Sequence, residues 1–358
     1  MANNGRVWPL VFLMMTFCGG MFSIGYPDMC CQQENNVHIH VAVYDSVIKD
    51  YSIEAIQPLE YTWNCRGYSY HLTPRIITRA DIMKRDTLLT RDNFDVFVIP
   101  GSGRPYIDAF HPHWRNIVRT FVDNGGGFLG ICGGANIASQ GFQEKKGVNG
   151  ILNHSVLGIA NVYVNNQQNQ EWMYLWKANW QHGLPPIHIS FVPNKNPIFK
   201  DFMGKERNIR YGGGPGMYPA PETNDKHGPV IPLAIYAKEP MAVAPLHYWT
   251  WDKGWQIQEN ITTDIRNQYA IIATSYGKGR IVLFGPHPEK KTFFGGSITE
   301  FPVRPNMGPF TWHIYNWSGG VSSSNDYNWW MIQRAAAWIS HKVPPYHLPF
   351  INDKLMNQ

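Results

Sequence analysis

Gly130-Ile131-Cys132-Gly133-Gly134 is the stretch whose residue types and spacing speak most directly of chemistry. An apolar strand candidate, Gly127–Ile131, runs into it, and a helix start, Ala135–Gln140, runs out of it. A nucleophile at such a sharp strand-to-helix turn sits in a strained backbone conformation, and its neighbours must be nearly free of side chain. The flanking glycines meet that demand. The following helix aims its first amides and its dipole at the sulfur, which favours thiolate over thiol. The Gly133 amide is one candidate oxyanion donor; the loop Gly101-Ser102-Gly103, after the apolar run Phe94–Ile99, is another. A thiolate nucleophile also needs a base and a group that orients it. His287-Pro288-Glu289 follows a third apolar run, Arg280–Phe284. In an H-x-E arrangement Glu289 accepts a hydrogen bond from one imidazole nitrogen of His287, and the other nitrogen faces the cysteine. Cys132, His287 and Glu289 in these roles would attack a carbonyl carbon and transfer its acyl group.

Weaker signals surround this trio. Arg210-Tyr211-Gly212-Gly213-Gly214-Pro215-Gly216 reads either as a plain turn or as a substrate-binding loop. In the second reading Arg210 and the free amides of Tyr211, Gly212 and Gly213 hold a carboxylate or other anion near Cys132. His38 and His40 share one face of a strand, where polar positions on a half-buried surface are the plain reading. The remaining histidines show no zinc spacing, and Gly277-Lys278-Gly279 lacks the spacing of a phosphate-binding loop. No metal and no cofactor are expected. Trp172, Trp176 and Trp180 recur at helical spacing and are expected to pack a core or a lid. Trp249, Trp251, Trp255, Trp312, Trp317, Trp329 and Trp330 are candidates to line a cleft, with burial the default.

The elements that must position these groups read as alternating strands and helices. Val37–Tyr44 is β-branched and apolar, a good first strand. Trp114–Asn124 carries Ile117, Val118, Phe121 and Val122 at helical spacing and stops at Asn124-Gly125-Gly126. Tyr269–Ser275 and Arg280–Phe284 are joined by a hairpin-like turn. Tyr327–His341 is a closing helix with Asn325 or Asp326 as its N-cap. Strand–helix–strand order implies parallel pairing with right-handed crossovers. The region 144–241, rich in Asn, Gln, Pro, Gly and Trp, is expected to form short strands and long loops over one end of the sheet.

The order and wording of four segments resemble the class I glutamine amidotransferase-like superfamily, and within it the branch of the biotin–protein ligase N-terminal domain. They are Phe94–Gly103 (FDVFVIPGSG), Val122–Ala138 (VDNGGGFLGICGGANIA), Arg210–Gly216 (RYGGGPG) and Gly277–Glu289 (GKGRIVLFGPHPE). The resemblance implies an α/β fold: a flavodoxin-like, mostly parallel sheet flanked by helices, with long loop insertions. It also implies Cys132 as nucleophile, His287 as base and Glu289 as its orienter. No stretch after residue 290 resembles a ligase catalytic region, and no synthetase domain is evident. The sequence therefore points away from a biotin ligase.

Composition frames the rest. The chain has 358 residues, 44% hydrophobic and 16% charged, with a net charge of +5. That excludes general disorder, and no Lys/Arg run reads as a nucleic-acid stripe. Arg6 precedes the apolar run Val7–Phe22, with Ser23-Ile24-Gly25 at a possible cleavage point. Residues 1–25 are thus expected to be a signal peptide, or an anchor if retained; only in that case is a membrane a partner. Residues 26–36 read as a linker, 37–343 as one domain with an insertion at about 144–241, and 344–358 as a tail. The expected location is secreted or extracytoplasmic, where Cys65 is free to pair with Cys30 or Cys31. The expected partner is a small-molecule or peptide substrate, with no nucleic acid. The first hypothesis is an exported hydrolase of an amide or related acyl bond. The alternatives are a non-catalytic binding protein on the same fold and an intracellular amidotransferase subunit.

Overall fold

Both faces of the first strand are buried. Ile39, Val41 and Val43 enter one apolar cluster, while Ala42 and Tyr44 enter another on the opposite side. Burial on both faces is what a parallel strand inside a layered α/β fold requires. The computed structural model describes residues 35–45, 49–84, 86–102, 104–165, 186–221, 224–239, 242, 247–260, 264–302 and 313–351. The sequence readings on residues 1–34, on Gly103, on Trp172, Trp176 and Trp180 and on Trp312 lie outside them.

The strands of the first half are β1 (Asn35–Tyr44), β2 (Tyr61–Cys65), β3 (Tyr68–Ile77), β4 (Val96–Ile99), β5 (Gly127–Ile131), β6 (Val162–Val164) and β7 (Pro186–Phe191). Those of the second half are β8 (Glu206–Arg210), β9 (Met217–Pro219), β10 (Ile231–Tyr236), β11 (His247–Trp251), β12 (Trp255–Asn260), β13 (Tyr269–Tyr276) and β14 (Gly279–Phe284). The main sheet runs β2-β3-β1-β4-β5-β14-β13-β10-β7-β8, with β9 and β6 branching from β13. Its centre, β3-β1-β4-β5-β14, is parallel throughout. Antiparallel strands extend both sides. The central α/β arrangement expected from the sequence is therefore present.

Helices close the two faces. The helices are α1 (Lys49–Ile56), α2 (Arg79–Met83), α3 (Arg104–Ala109), α4 (Pro112–Asp123), α5 (Gly133–Ala138), α6 (Gly147–Leu152) and α7 (Trp329–Ile339). On one face, α4 buries Trp114, Val118, Phe121 and Val122, a single helical stripe, against Phe97 and Phe128. On the other, α7 packs among Val98, Leu129, Ile131, Val282 and Phe284. Its Trp330 stacks on Phe202 with ring centroids 4.3 Å apart, so this tryptophan belongs to the core.

Two expectations change. The closing helix starts at Trp329, after a 3-10 turn at Asn325–Asn328, and neither Asn325 nor Asp326 is its cap. Asn328 takes the cap position but its side chain is engaged elsewhere. It accepts from Arg207 Nε at 3.1 Å and donates to the Asn208 carbonyl at 3.0 Å. The region 144–241 also departs from a cover over the sheet's end. Its β7, β8 and β10 widen the sheet beyond β13. In β7 the buried residues Ile187, Ile189 and Phe191 alternate, which is the period of a strand with one face on a core.

After α7 the chain returns to β2 and β3. Trp63 Nε1 donates to the His347 carbonyl at 2.8 Å, and the Tyr70 hydroxyl meets His347 Nδ1 at 2.5 Å. Cys65, close by, is a free thiol, while Cys30 and Cys31 lie outside the described residues.

Candidate active site

Strand register brings the chemistry together. Ile99 at the end of β4 pairs with Gly130 of β5, and Ile131 at the end of β5 pairs with Phe284 at the end of β14. Three adjacent parallel strands therefore end at one level. The residues that follow them are Pro100-Gly101-Ser102, Cys132 and Gly285-Pro286-His287. The carboxyl ends of parallel strands are where such sheets place their sites. The Cys132 amide donates to the Phe284 carbonyl at 2.7 Å, which ties the turn to the neighbouring strand.

The turn at Cys132 is strained, as its motif requires. Its φ of 51° and ψ of −106° are a conformation that L-residues rarely adopt. Such a conformation costs of order 1–3 kcal/mol and persists only where packing imposes it. Here the packing is backbone against backbone. A Cβ on Gly134 would stand 2.2 Å from the Ile99 carbonyl oxygen, and one on Gly133 would stand 2.4 Å from the Ser102 carbonyl oxygen. Helix α5 begins at Gly133, two residues before the expected start, so the first orphan amides lie directly after the sulfur.

His287 and Glu289 complete the arrangement. His287 Nδ1 donates to Glu289 Oε1 at 2.6 Å. A carboxylate can only accept, so this bond assigns the Nδ1 proton and turns the other side of the ring to Cys132. The Cys132 side chain adjoins the ring and its charge acts on it. All three are enclosed, with Cys132 7%, His287 3% and Glu289 5% exposed. Burial pulls the His287 imidazolium down, but the charges of Glu289 and Cys132 and their hydrogen bonds outweigh it and raise its pKa to about 10. Burial pushes the Glu289 carboxyl up; the His287 charge and hydrogen bond reverse this and leave it below its ordinary value. At neutral pH the pair is an imidazolium held by a carboxylate.

The structure also places the remaining residues. A Cβ on Gly101 would meet His287 Cε1 at 2.5 Å and Cys132 Cβ at 3.0 Å, so this glycine lies over the contact between them. The Ser102 hydroxyl is buried with no hydrogen-bond partner. Gly103 falls outside the described residues. Arg210 ends β8 with its carbonyl accepting from the His287 amide at 2.8 Å, and its guanidinium lies over the Phe293 ring at 5.0 Å. Gly212 and Gly213 are buried beside it. The loop then presses on the turn before His287, where a Cβ on Gly214 would stand 1.7 Å from the Gly285 oxygen. The Tyr211 ring is fully buried, edge-on to Tyr236 with centroids 6.0 Å apart.

Trp329, expected only as a candidate to line a cleft, is tied to the trio: its Nε1 donates to the Glu289 carbonyl at 3.1 Å. Asn136, next to the elbow in sequence but not among the expected site residues, is buried on α5 with its amide donating to the Cys132 carbonyl at 3.1 Å. A separate groove of about 450 Å³, lined by Asp45, Thr78, Arg79, Ala80 and Met83, lies beyond β1 and β3 and includes none of the trio. Among the described residues no three His, Cys, Asp or Glu side chains are grouped to hold a metal, and no helix is long and apolar enough to cross a membrane.

A family model described as "Biotin-protein ligase, N terminal" matches residues 90–298, more than half of the chain. The chain belongs to this family. The segment matched to the biotin-protein ligase N-terminal model contains Gly101, Cys132, Arg210, His287 and Glu289. No curated protein matches the chain. Among solved structures, it is similar to PurLQS from Thermotoga maritima at 14% identity, covering 71% of this chain and 89% of that one, with a TM-score of 0.40. It is similar to a putative ThuA-like protein from Bacteroides uniformis at 12% identity, covering 90% and 99%, with a TM-score of 0.39. It is also similar to a glutamine amidotransferase from Thermotoga maritima at 12% identity, covering 71% and 77%, with a TM-score of 0.36.

Proposed function

We propose that this member of the biotin-protein ligase N-terminal family is a cysteine-nucleophile acyl-transfer enzyme that cleaves an amide or related acyl bond in a small molecule or peptide. The observation that carries the reading is the enclosed His287–Glu289 pair, 2.6 Å apart, set against a cysteine on a strained turn. The sulfur of Cys132, its proton held by His287, attacks the carbonyl carbon. The Gly133 amide and the Gly101–Ser102 backbone stabilise the oxyanion. His287 protonates the leaving amine and then activates the water that releases the acyl group. Glu289 holds the imidazole in the tautomer this needs.

The test is a screen of amides and activated esters read by intact-protein mass spectrometry. An acyl adduct on Cys132, with turnover lost in Cys132→Ala, supports the reading. Full turnover in Cys132→Ala refutes it.

The enclosure of Cys132, only 7% exposed, favours a second reading, a binding protein in which the thiol is inert. That reading expects ligand binding unchanged in Cys132→Ala and no adduct. The proposal extends to location on sequence grounds: residues 1–25 read as an export signal or anchor, which supports a secreted or extracytoplasmic protein. Sequencing the mature N-terminus and fractionating cells tests this; an intact N-terminus in the cytosolic fraction would favour an intracellular amidotransferase subunit.

A further inference from the structure

Tyr44 ends β1 opposite Ile77, the last residue of β3, and Val43 pairs with Val98 of β4. The ends of β1 and β3 therefore share the carboxyl edge of the sheet with Cys132, β1 two strands from β5 and β3 three. At about 4.8 Å per strand, that is roughly 10–14 Å from the nucleophile. The chain runs from β1 to β3 on one side and from there to β4 on the other, so strand order reverses at β1. Such a reversal opens a crevice at the carboxyl edge. The groove lined by Asp45, Thr78, Arg79, Ala80 and Met83 lies beside it. Asp108 of α3, only 5% exposed, accepts from the Tyr44 hydroxyl at 2.6 Å and pairs with Arg79 Nε at 3.1 Å. A buried carboxylate thus holds the guanidinium by one nitrogen. The Arg79 side chain is 47% exposed, and its two terminal nitrogens have no hydrogen-bond partner among the described residues. Asp45 forms no ion pair among them. The start of α2 is closed by Thr78 and Asp81, whose side chains each bond the other's amide, so recognition falls to side chains.

The groove therefore presents a cation and an anion that are not paired with each other. A guanidinium held through Nε keeps its outer edge for a carboxylate, while the Asp45 carboxylate, which only accepts, suits an ammonium. A ligand end with a single charge serves one of them and opposes the other. We propose that this groove binds the zwitterionic α-amino-acid end of a molecule whose other end reaches Cys132. The α-carboxylate lies on Arg79, the α-ammonium on Asp45 and the alkyl chain along Met83. The inference rests on the acyl-transfer reading for what happens at Cys132, and it names the substrate class: an acyl compound whose carbonyl stands roughly 10 Å from an α-amino-acid head. At about 1.25 Å per bond, some eight bonds cross that span. An acyl group on a side chain of lysine length fits it; a short amino-acid amide falls well inside it.

Alkylating probes of one chain length test the groove without any acyl step, because in each the sulfur displaces iodide and forms the S–C bond. Nε-iodoacetyl-lysine carries the zwitterionic head about 10 Å from its reactive carbon. N-pentyl iodoacetamide has the same chain and no head. 6-(Iodoacetamido)hexanoate keeps only the carboxylate, and N-(5-aminopentyl)iodoacetamide only the ammonium. Labelling of Cys132 in the full-length protein is timed by mass spectrometry at probe concentrations below saturation. The lysine probe is expected to react about tenfold faster than the pentyl probe, and faster than either singly charged one. Arg79→Met and Asp45→Asn are each expected to slow the lysine probe about fivefold while the pentyl probe stays within about twofold of wild type. Arg79→Lys, which keeps the charge, is expected to retain part of the advantage. Equal rates for the lysine and pentyl probes in wild type overturn the inference and leave the acyl-transfer reading standing. So does an advantage that survives both substitutions, because it then belongs to the charge of the chain as a whole. If the advantage depends on both residues but no Nε-acyl-lysine acylates Cys132, the groove is supported and the acyl-transfer reading falls.

Discussion

Replacing Glu289 by Gln changes one charge and almost no volume, and its effect on stability has a sign that depends on pH. Because the Cys132 charge also raises the His287 pKa, the comparison is made between Cys132→Ala and Cys132→Ala/Glu289→Gln. With Glu289 present, His287 holds its proton above its unfolded value of about 6.5, as the 2.6 Å bond to a buried carboxylate requires. The folded state then binds one more proton than the unfolded state above about pH 6.5. The stability due to the raised imidazole is fully present below that pH and is lost as pH rises toward the folded pKa. The slope of one proton is about 1.4 kcal/mol per pH unit, so stability is expected to fall by up to roughly 2 kcal/mol between about pH 6.5 and pH 8. Glu289 itself adds no slope there, because its own contribution, from a lowered pKa, is lost only on acidification. In the double variant burial alone acts on His287 and keeps it neutral, so that slope vanishes. Urea unfolding followed by tryptophan fluorescence across this window measures both curves, and every other titrating group cancels in their difference. Parallel curves, within about 0.5 kcal/mol, would refute the claim that a buried carboxylate holds this proton.

Three further outcomes follow from distances. Gly101→Ala places a methyl 2.5 Å from His287 Cε1, so the ring must shift; iodoacetamide labelling of Cys132 is expected to slow at least tenfold at pH 7, with about 1–3 kcal/mol lost from stability. Labelling at the wild-type rate would show that the ring has room. Trp329→Phe removes the 3.1 Å donor to the Glu289 carbonyl and is expected to cost about 1 kcal/mol in a thermal melt, with labelling nearly unchanged. Cys132→Gly removes the side chain from a residue at φ 51° and is expected to be about 1 kcal/mol more stable than Cys132→Ala; the reverse order would mean that the turn stores no strain.

Much of the framework was legible in single segments. Gly127–Ile131 falls on the expected residues, and the hairpin from Tyr269 to Phe284 pairs antiparallel about its expected turn. These are short apolar runs bounded by glycine, where local chemistry and final structure agree. Region 144–241 was harder to read. Its strands are short and lie at the antiparallel side of the sheet, with bulges between β10 and β13 that break the alternation. The glycines of 210–216 suggest an open loop, but close backbone approach between Gly214 and Gly285 closes it, with the Tyr211 ring buried in the core.

By itself the sequence determined the residues that a strained cysteine turn needs and the H-x-E spacing that pairs an imidazole with a carboxylate, because both are local. Two positions apart in one turn, His287 and Glu289 need no distant partner to meet. Only the tertiary structure decided that the ends of β4, β5 and β14 stand side by side, since strand order and register are set by pairings between segments distant in sequence, Ile131 with Phe284 above all. The same packing brought Trp329 to the site, and only the packing of α7 aims its indole N–H at the Glu289 carbonyl.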